Sequence, residues 1–289
     1  MSAVAAAAAA AGRLTRPLRY NVSLRLGTAL LLAIILFGVV GTFVLPDPND
    51  QNLDDAYARP GSVAHPLGAD ALGRDILSWV SHGLLTGLAV SVSVVLLSAF
   101  VGVVVGLAAG YTGGLADGLL MRLVDLQLAI PPLLLFIAAS AVVGTDFWSL
   151  VFLLSVVGWV PYARIVRSEV LAERERSYVA AARLAGARLP RVLFVHLLPA
   201  TATLIIVLAS LQAGIVLLWE SGLSFLGLGL QPPTISLGFM ISQGRSDLVE
   251  AWWIVTFPGL AIVLLVLAFN LLGDGLRDAF HLDVNLLGR

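Results

Sequence analysis

The sequence predicts an all-α integral membrane protein with six transmembrane helices and both termini in the cytoplasm. Three observations carry that expectation. Of the 289 residues, 59% are hydrophobic and 12% charged, with a mean hydropathy of +0.96; a soluble domain carries about twice that charged fraction. Six uncharged runs approach or exceed the roughly 20 helical residues that a hydrocarbon core about 30 Å thick requires. The arginines, finally, gather in alternate connections.

The first run, Leu26–Pro46, follows a tail of residues 1–24 that opens on an alanine-rich stretch and is expected to be partly disordered. Basic residues come after that stretch and no cleavage-site pattern follows it, so the tail does not read as a signal peptide. A six-span membrane domain is expected over 25–289. Its first span lies at about 26–46 and its second at about 85–109, inside the charge-free run Ile76–Ala116. Pro131 and Pro132 kink or delay the third, placed at about 124–145. The fourth, about 147–165, has Trp148 and Trp159 as interface anchors. The fifth lies at about 198–220 and the sixth at about 251–273, which begins at Trp252 and Trp253. An outer segment interrupted by glycine and proline, about 221–245, separates the last two.

Orientation follows from arginine. With the N-terminus inside, the tail places Arg13, Arg16, Arg19 and Arg25 in the cytoplasm, and the next inner loop adds Arg122. The connection between spans four and five adds Arg164, Arg167, Arg174, Arg176, Arg183, Arg188 and Arg191. With Arg277 and Arg289 of the C-terminal tail, 14 of the 17 arginines are then inside. Only Arg59, Arg74 and Arg245 fall outside, so the positive-inside rule selects this orientation. The first outer loop, with Asp47, Asp50, Asp54, Asp55, Asp70 and Asp75, agrees.

Composition also excludes. Without cysteine there is no disulfide and no thiolate metal site. Every basic residue is arginine, which removes the lysine of a Walker A loop and any Schiff-base lysine. No nucleophile–base pair stands in a span, so the chain is not expected to be an enzyme. A net charge of −1 offers no basic surplus for nucleic acid. His82, His196 and His281 are scattered, without metal-ligand spacing.

One cytoplasmic stretch stands apart: SEVLAERERSYVAAARLAG, Ser168–Gly186, within the connection at about 168–191. Burying the seven arginines between spans four and five would cost on the order of 20 kcal/mol at about 3 each, so the stretch lies in water or against a protein. Its alanine, leucine, glutamate and arginine favour helix. Gly186 fits the left-handed residue that closes a helix, and Pro190 the first turn of the next. Tyr178, Ala181, Ala182, Leu184 and Ala185 form a small apolar face. These residues leave two readings open, a solvated amphipathic loop and a docking element. The length of the connection, and a face that gains nothing from water, favour the second.

The same stretch resembles the signature loop of permease subunits of bacterial ABC importers. That pattern is Glu-Ala-Ala, three residues, Gly, nine residues, Ile, one residue and Leu-Pro; here it runs Ala180-Ala181-Ala182, Gly186, His196 and Leu198-Pro199. Ala180 stands where glutamate is usual, which puts in doubt an ion pair at that position. His196 stands where isoleucine is usual, as in the peptide-importer branch. HPLGADALGRDILS (65–78), YTGGLADGLLMRLVD (111–125), ESGLSFLGLGLQPP (220–233) and FNLLGDGLRDAF (269–280) resemble the second permease of the dipeptide/oligopeptide (peptide/nickel) transporter family. The similarity extends over nearly the whole chain beyond about Leu24.

The resemblance implies a type I ABC importer permease fold in the bacterial inner membrane. It implies a heterodimer with a homologous permease around a central path, two ATPase subunits or domains beneath it, and an outer substrate-binding protein. The ATPase-coupling loop would comprise Tyr178, Ala180, Ala181, Ala182, Leu184, Gly186, Ala187 and Pro190. No cofactor is implied on this chain, because ATP and Mg belong to the ATPase partners. Relatives handle dipeptides, longer peptides, glutathione or nickel chelates, so the cargo stays open.

At the outer end, Glu220 either lines the path and meets a peptide amino group, or is an interface residue satisfied by water or backbone. SGLSFLGLGLQPPTISLGF cannot be one helix. It reads as a re-entrant element, either a gate with Phe225 as plug and Gly227 in its bend, or a passive loop. Arg122 and Asp125 are expected to pair, and Asn270 and Asp274 to cap or to bond to the signature loop. Packing rather than chemistry is expected of Gly73–Asp75. A self-sufficient secondary transporter or channel is the competing class. It needs ionisable groups near span centres or inverted repeats, and the span centres here carry almost none.

Overall fold

In the computed structural model, which describes residues 21–286 and the side chains of 21–140 and 144–280, the apolar runs are helical. Arg13, Arg16, Arg19, the side chain of His281 and Arg289 lie outside the described residues. The helices are α1 Val22–Val44, α2 Ile76–Thr112, α3 Gly114–Leu128, α4 Pro132–Val143, α5 Phe147–Glu173, α6 Ser177–Leu184, α7 Leu198–Phe225, α8 Leu237–Gly244 and α9 Trp253–Leu286. Five of them are long and apolar enough to cross a membrane, and the bent pair α3–α4 makes a sixth candidate if it counts as one span. Outward faces stay apolar: Phe43, Phe100 and Phe152 are each more than half exposed. Such surfaces require lipid or another protein around them.

Helix α1 begins on Asn21, whose side chain accepts the Leu24 N–H at 3.1 Å. The same side chain donates to the Gly275 carbonyl of α9 at 3.1 Å. The start of the first span and the tail of the last therefore meet at one end, as an even number of crossings requires. Helix α2 is capped by Asp75, which accepts the Ser78 N–H at 2.8 Å. Its 37 residues extend roughly 55 Å at about 1.5 Å each, well beyond the span expected at 85–109. The extra turns are covered by the aspartate-rich loop before them. Ser78 donates to the Pro46 carbonyl at 2.6 Å, the Trp79 indole to Pro48, and Trp253 to Ala69 at 3.0 Å. Arg74 pairs with Asp70 at 2.5 Å while buried and lies 4.1 Å over Trp79. The Gly73–Asp75 segment is thus packing, and Trp253 is buried while Trp252 stays half-exposed.

Helices α2 and α5 pack most closely. A side chain on Gly106 would come within 2.7 Å of the Ala163 carbonyl, and one on Gly110 within 2.8 Å of Val170. Glycine every fourth residue lets the two backbones meet.

The third candidate span breaks where Pro131 and Pro132 were expected to kink it. It is not one helix over 124–145 but α3 and α4, bent by 83°. Pro131 and Pro132 supply no N–H to carry the helix on, and the Gln127 carbonyl takes the Ile130 N–H at 3.3 Å instead. Asp125 pairs across to Arg164 of α5 at 2.7 Å rather than with Arg122, and Arg167 of α5 binds Asp117 with two nitrogens. Trp159 is held inside, its indole donating to Gln127 at 3.0 Å, whereas Trp148 is 71% exposed.

Candidate functional site

At the arginine-rich end, the helix expected over Ser168–Gly186 is interrupted. Helix α5 runs on to Glu173 and α6 starts at Ser177. Three contacts hold the turn. Arg174 donates to the Gly110 carbonyl near the end of α2 at 2.9 Å. Arg176 pairs with Glu173 at 2.9 Å, and the Tyr178 hydroxyl donates to Glu173 at 2.5 Å. Burial, and secondarily that bond, push the Tyr178 hydroxyl up to about 12.

Helix α6 closes through the N–H groups of Gly186 and Ala187, which donate to the Arg183 and Ala182 carbonyls at 2.9 and 3.0 Å. Gly186 has φ +81°, and a side chain there would meet nothing within 4 Å. Glycine supplies backbone freedom at this point, not room. Pro190 sits in the single turn Leu189–Arg191, and a π-helical turn, Val192–Leu197, leads into α7. Ala180, Ala181, Gly186 and Pro190 are exposed, Ala182 and Ala187 half-buried. Leu184 is 90% exposed and Tyr178 41%.

One residue of α6 points the other way. Val179 is fully buried, packed with Leu107 of α2, Val166 and Val170 of α5, and Val192 and Leu197 ahead of α7. The result is a small apolar knob fastened by one side chain to the ends of three long helices. Arg183 adds a contact, 5.0 Å over the Tyr111 ring.

Roughly 40 Å away along α7, at about 1.5 Å per residue, the second group of residues is built on different chemistry. Glu220 is 1% exposed. Its carboxylate accepts from the hydroxyls of Ser221, Ser224 and Ser236 at 3.1, 3.0 and 2.8 Å. Ser224 in turn accepts the Leu230 N–H at 3.1 Å, and Ser236 caps α8. One carboxylate therefore joins the end of α7, the returning chain and α8. Among the described residues its partners are these three serines, and no backbone group of the glycine-rich turn. Helix α8 re-enters the bundle, with Leu237 and Met240 each 2% exposed. Phe225 is half-buried beside an apolar groove that Leu133 and Trp219 also line. Gly227 is exposed with φ +79°.

The residues singled out from the sequence thus fall into two sets at opposite ends of α7. Asn270 and Asp274 are exposed and join neither set by a hydrogen bond among the described residues. Val179 and the three serines were missed. Ser224 shares a helix face with Glu220 at i+4 spacing, a readable signal; Ser221, next in sequence, and Ser236 gave none.

Residues 102–285 match the family model described as binding-protein-dependent transport system inner membrane component. The chain is 41% identical over 259 residues to the di/tripeptide transport system permease protein DppC of Pseudomonas aeruginosa, covering 88% of this chain and 86% of that one. It is 43% identical to the dipeptide transport system permease protein DppC of Escherichia coli K12, with the same coverage. The protein of that name from Haemophilus influenzae is 38% identical over 260 residues, 88% of each chain. By the match over most of its length and by these identities, the chain belongs to the family of binding-protein-dependent transport system inner membrane components, the permease subunits of ABC importers.

Proposed function

We propose that the chain is the translocation subunit of an ATP-driven importer for di- and oligopeptides in a bacterial inner membrane. It shares the path with a homologous permease, receives cargo from an outer substrate-binding protein, and takes its motion from two ATPase subunits that hold ATP and Mg. It binds no cofactor and catalyses no reaction itself. The observation that carries this is the knob at the arginine-rich end. Tyr178, Ala180, Ala181, Leu184 and the Gly186 bend offer an exposed surface without a lipid-spanning length, and Val179 ties it to α2, α5 and α7. A motor gripping that surface moves three helices as one body, driven by contacts ATP makes only in the closed ATPase dimer. Ala180 brings no ion pair to the grip. Glu220, Phe225 and Gly227 belong to the outer gate, whose hairpin is pinned or released at the Glu220 cluster. Names of the relatives, di/tripeptide and dipeptide transport, direct the choice of cargo.

Reconstitution tests it. With all subunits present, uptake of a labelled dipeptide is expected to require ATP and to ignore ion gradients. Gradient-driven uptake by this chain alone would overturn the proposal in favour of a secondary transporter.

A further inference from the structure

Where the third candidate span breaks, the chain forms a cavity of about 260 Å³. Leu128 and Phe136 line it from the two sides of the break, Val157 from α5, and Gln212, Ile215 and Trp219 from α7. No charged residue contributes to its wall. Two glutamines do, and they differ. Gln127 is engaged, donating to the Val156 carbonyl at 2.6 Å and accepting from Trp159 at 3.0 Å. Gln212 is half-buried and has no hydrogen-bond partner among the described residues.

The Gln212 amide is accessible from the cavity, and at membrane depth such a group favours an entrant that can hydrogen-bond to it. The backbone here is also interrupted. Pro131 and Pro132 have no N–H, so the Leu128 carbonyl lacks its helical donor. Irregular backbone at this depth is tolerated only beside protein or a water-filled path, and discontinuous helices form transit sites in other transporters. A lipid tail has nothing to offer an amide. A peptide bond has both a carbonyl for the Gln212 NH₂ and an N–H for its oxygen.

Resting on the peptide-import reading above, we infer that this cavity holds one residue of the peptide in transit. Gln212 donates to the carbonyl and accepts from the N–H of a peptide bond, and the apolar wall takes the adjoining uncharged side chain. An apolar cavity of about 150 Å³ already admits benzene, so an aromatic side chain fits. Because the amide reads only what all peptides share, the site tolerates sequence. Because its wall carries no charge, it disfavours a charged side chain.

The test uses the complete transporter in proteoliposomes, with alanyl-phenylalanine and lysyl-lysine as cargo. Wild type is scored first; absence of ATP-dependent uptake of both overturns the peptide-import reading and this inference with it. Given wild-type uptake, Gln212→Leu is expected to lower uptake per ATP hydrolysed about tenfold. Gln212→Glu is expected to shift the uptake ratio about fivefold toward lysyl-lysine. Benzoylphenylalanine placed at Ile215 is expected to crosslink labelled dipeptide during turnover, an arm that keeps Gln212 intact should its variants fail to assemble. Unchanged uptake and ratio in assembled, ATP-hydrolysing variants overturn the inference while import stands. A crosslink only to the partner permease or to lipid does the same.

Discussion

The bend at Gly186 and the hairpin after Phe225 both change the direction of the chain, one at each end of α7, yet they are secured in opposite ways. The first stands on exposed residues and a single buried side chain, Val179. The second closes on a carboxylate 1% exposed, with three serine hydroxyls and a capped helix around it. A segment that satisfies its own polar groups needs no partner to hold its shape. A segment that leaves leucine and tyrosine outside, on a knob rimmed with arginine, suits the docking role proposed above. The difference separates a latch from a handle.

Substitutions at three positions break or sharpen that contrast. Glu220→Ala strands three hydroxyls that shared one side-chain partner. A loss of about 3 kcal/mol of stability is expected, read as a lowered midpoint of thermal unfolding of the detergent-purified complex. An unchanged midpoint would remove the latch. Val179→Ala empties a buried site where α2, α5 and the start of α7 converge, at a cost of about 2 kcal/mol. Proteolysis is expected to cut faster between α5 and α7, while the hairpin at the other end keeps its protection. Equal loss at both ends would show that the two regions are one cooperative unit. Gly186→Val forces a branched residue to φ +81°, worth about 1–2 kcal/mol of local strain. Co-purification of the ATPase should fall while insertion survives, and Gly186→Asn, which tolerates that conformation, should retain it. If asparagine does as much harm as valine, the backbone is not the cause.

Much of this was readable in advance. Pro131 and Pro132 announced the break in the third span, since neither can donate to a helix. Gly186 and Pro190 announced the close of one helix and the start of the next. The unbroken helix expected over Ser168–Gly186 was wrong because Arg174 and Glu173 find partners in space, the Gly110 carbonyl and the Tyr178 hydroxyl, that outweigh local propensity. The Arg122–Asp125 pair failed for the same reason, Arg164 being better placed on α5. Val179 was legible only in part: it is the one bulky β-branched residue among the alanines of α6.

Amino-acid order alone settled how many apolar runs there are, which connections carry arginine, and where helices must stop. These depend on hydrophobicity, charge and backbone chemistry within a few residues of each other. Tertiary structure alone decided which polar groups are satisfied and which are left waiting. Glu220 meets Ser236 across 16 residues and Asn21 meets Gly275 across 254, while Gln212 has no hydrogen-bond partner among the described residues. Such pairings follow from how helices pack in space, and no local pattern encodes that distance.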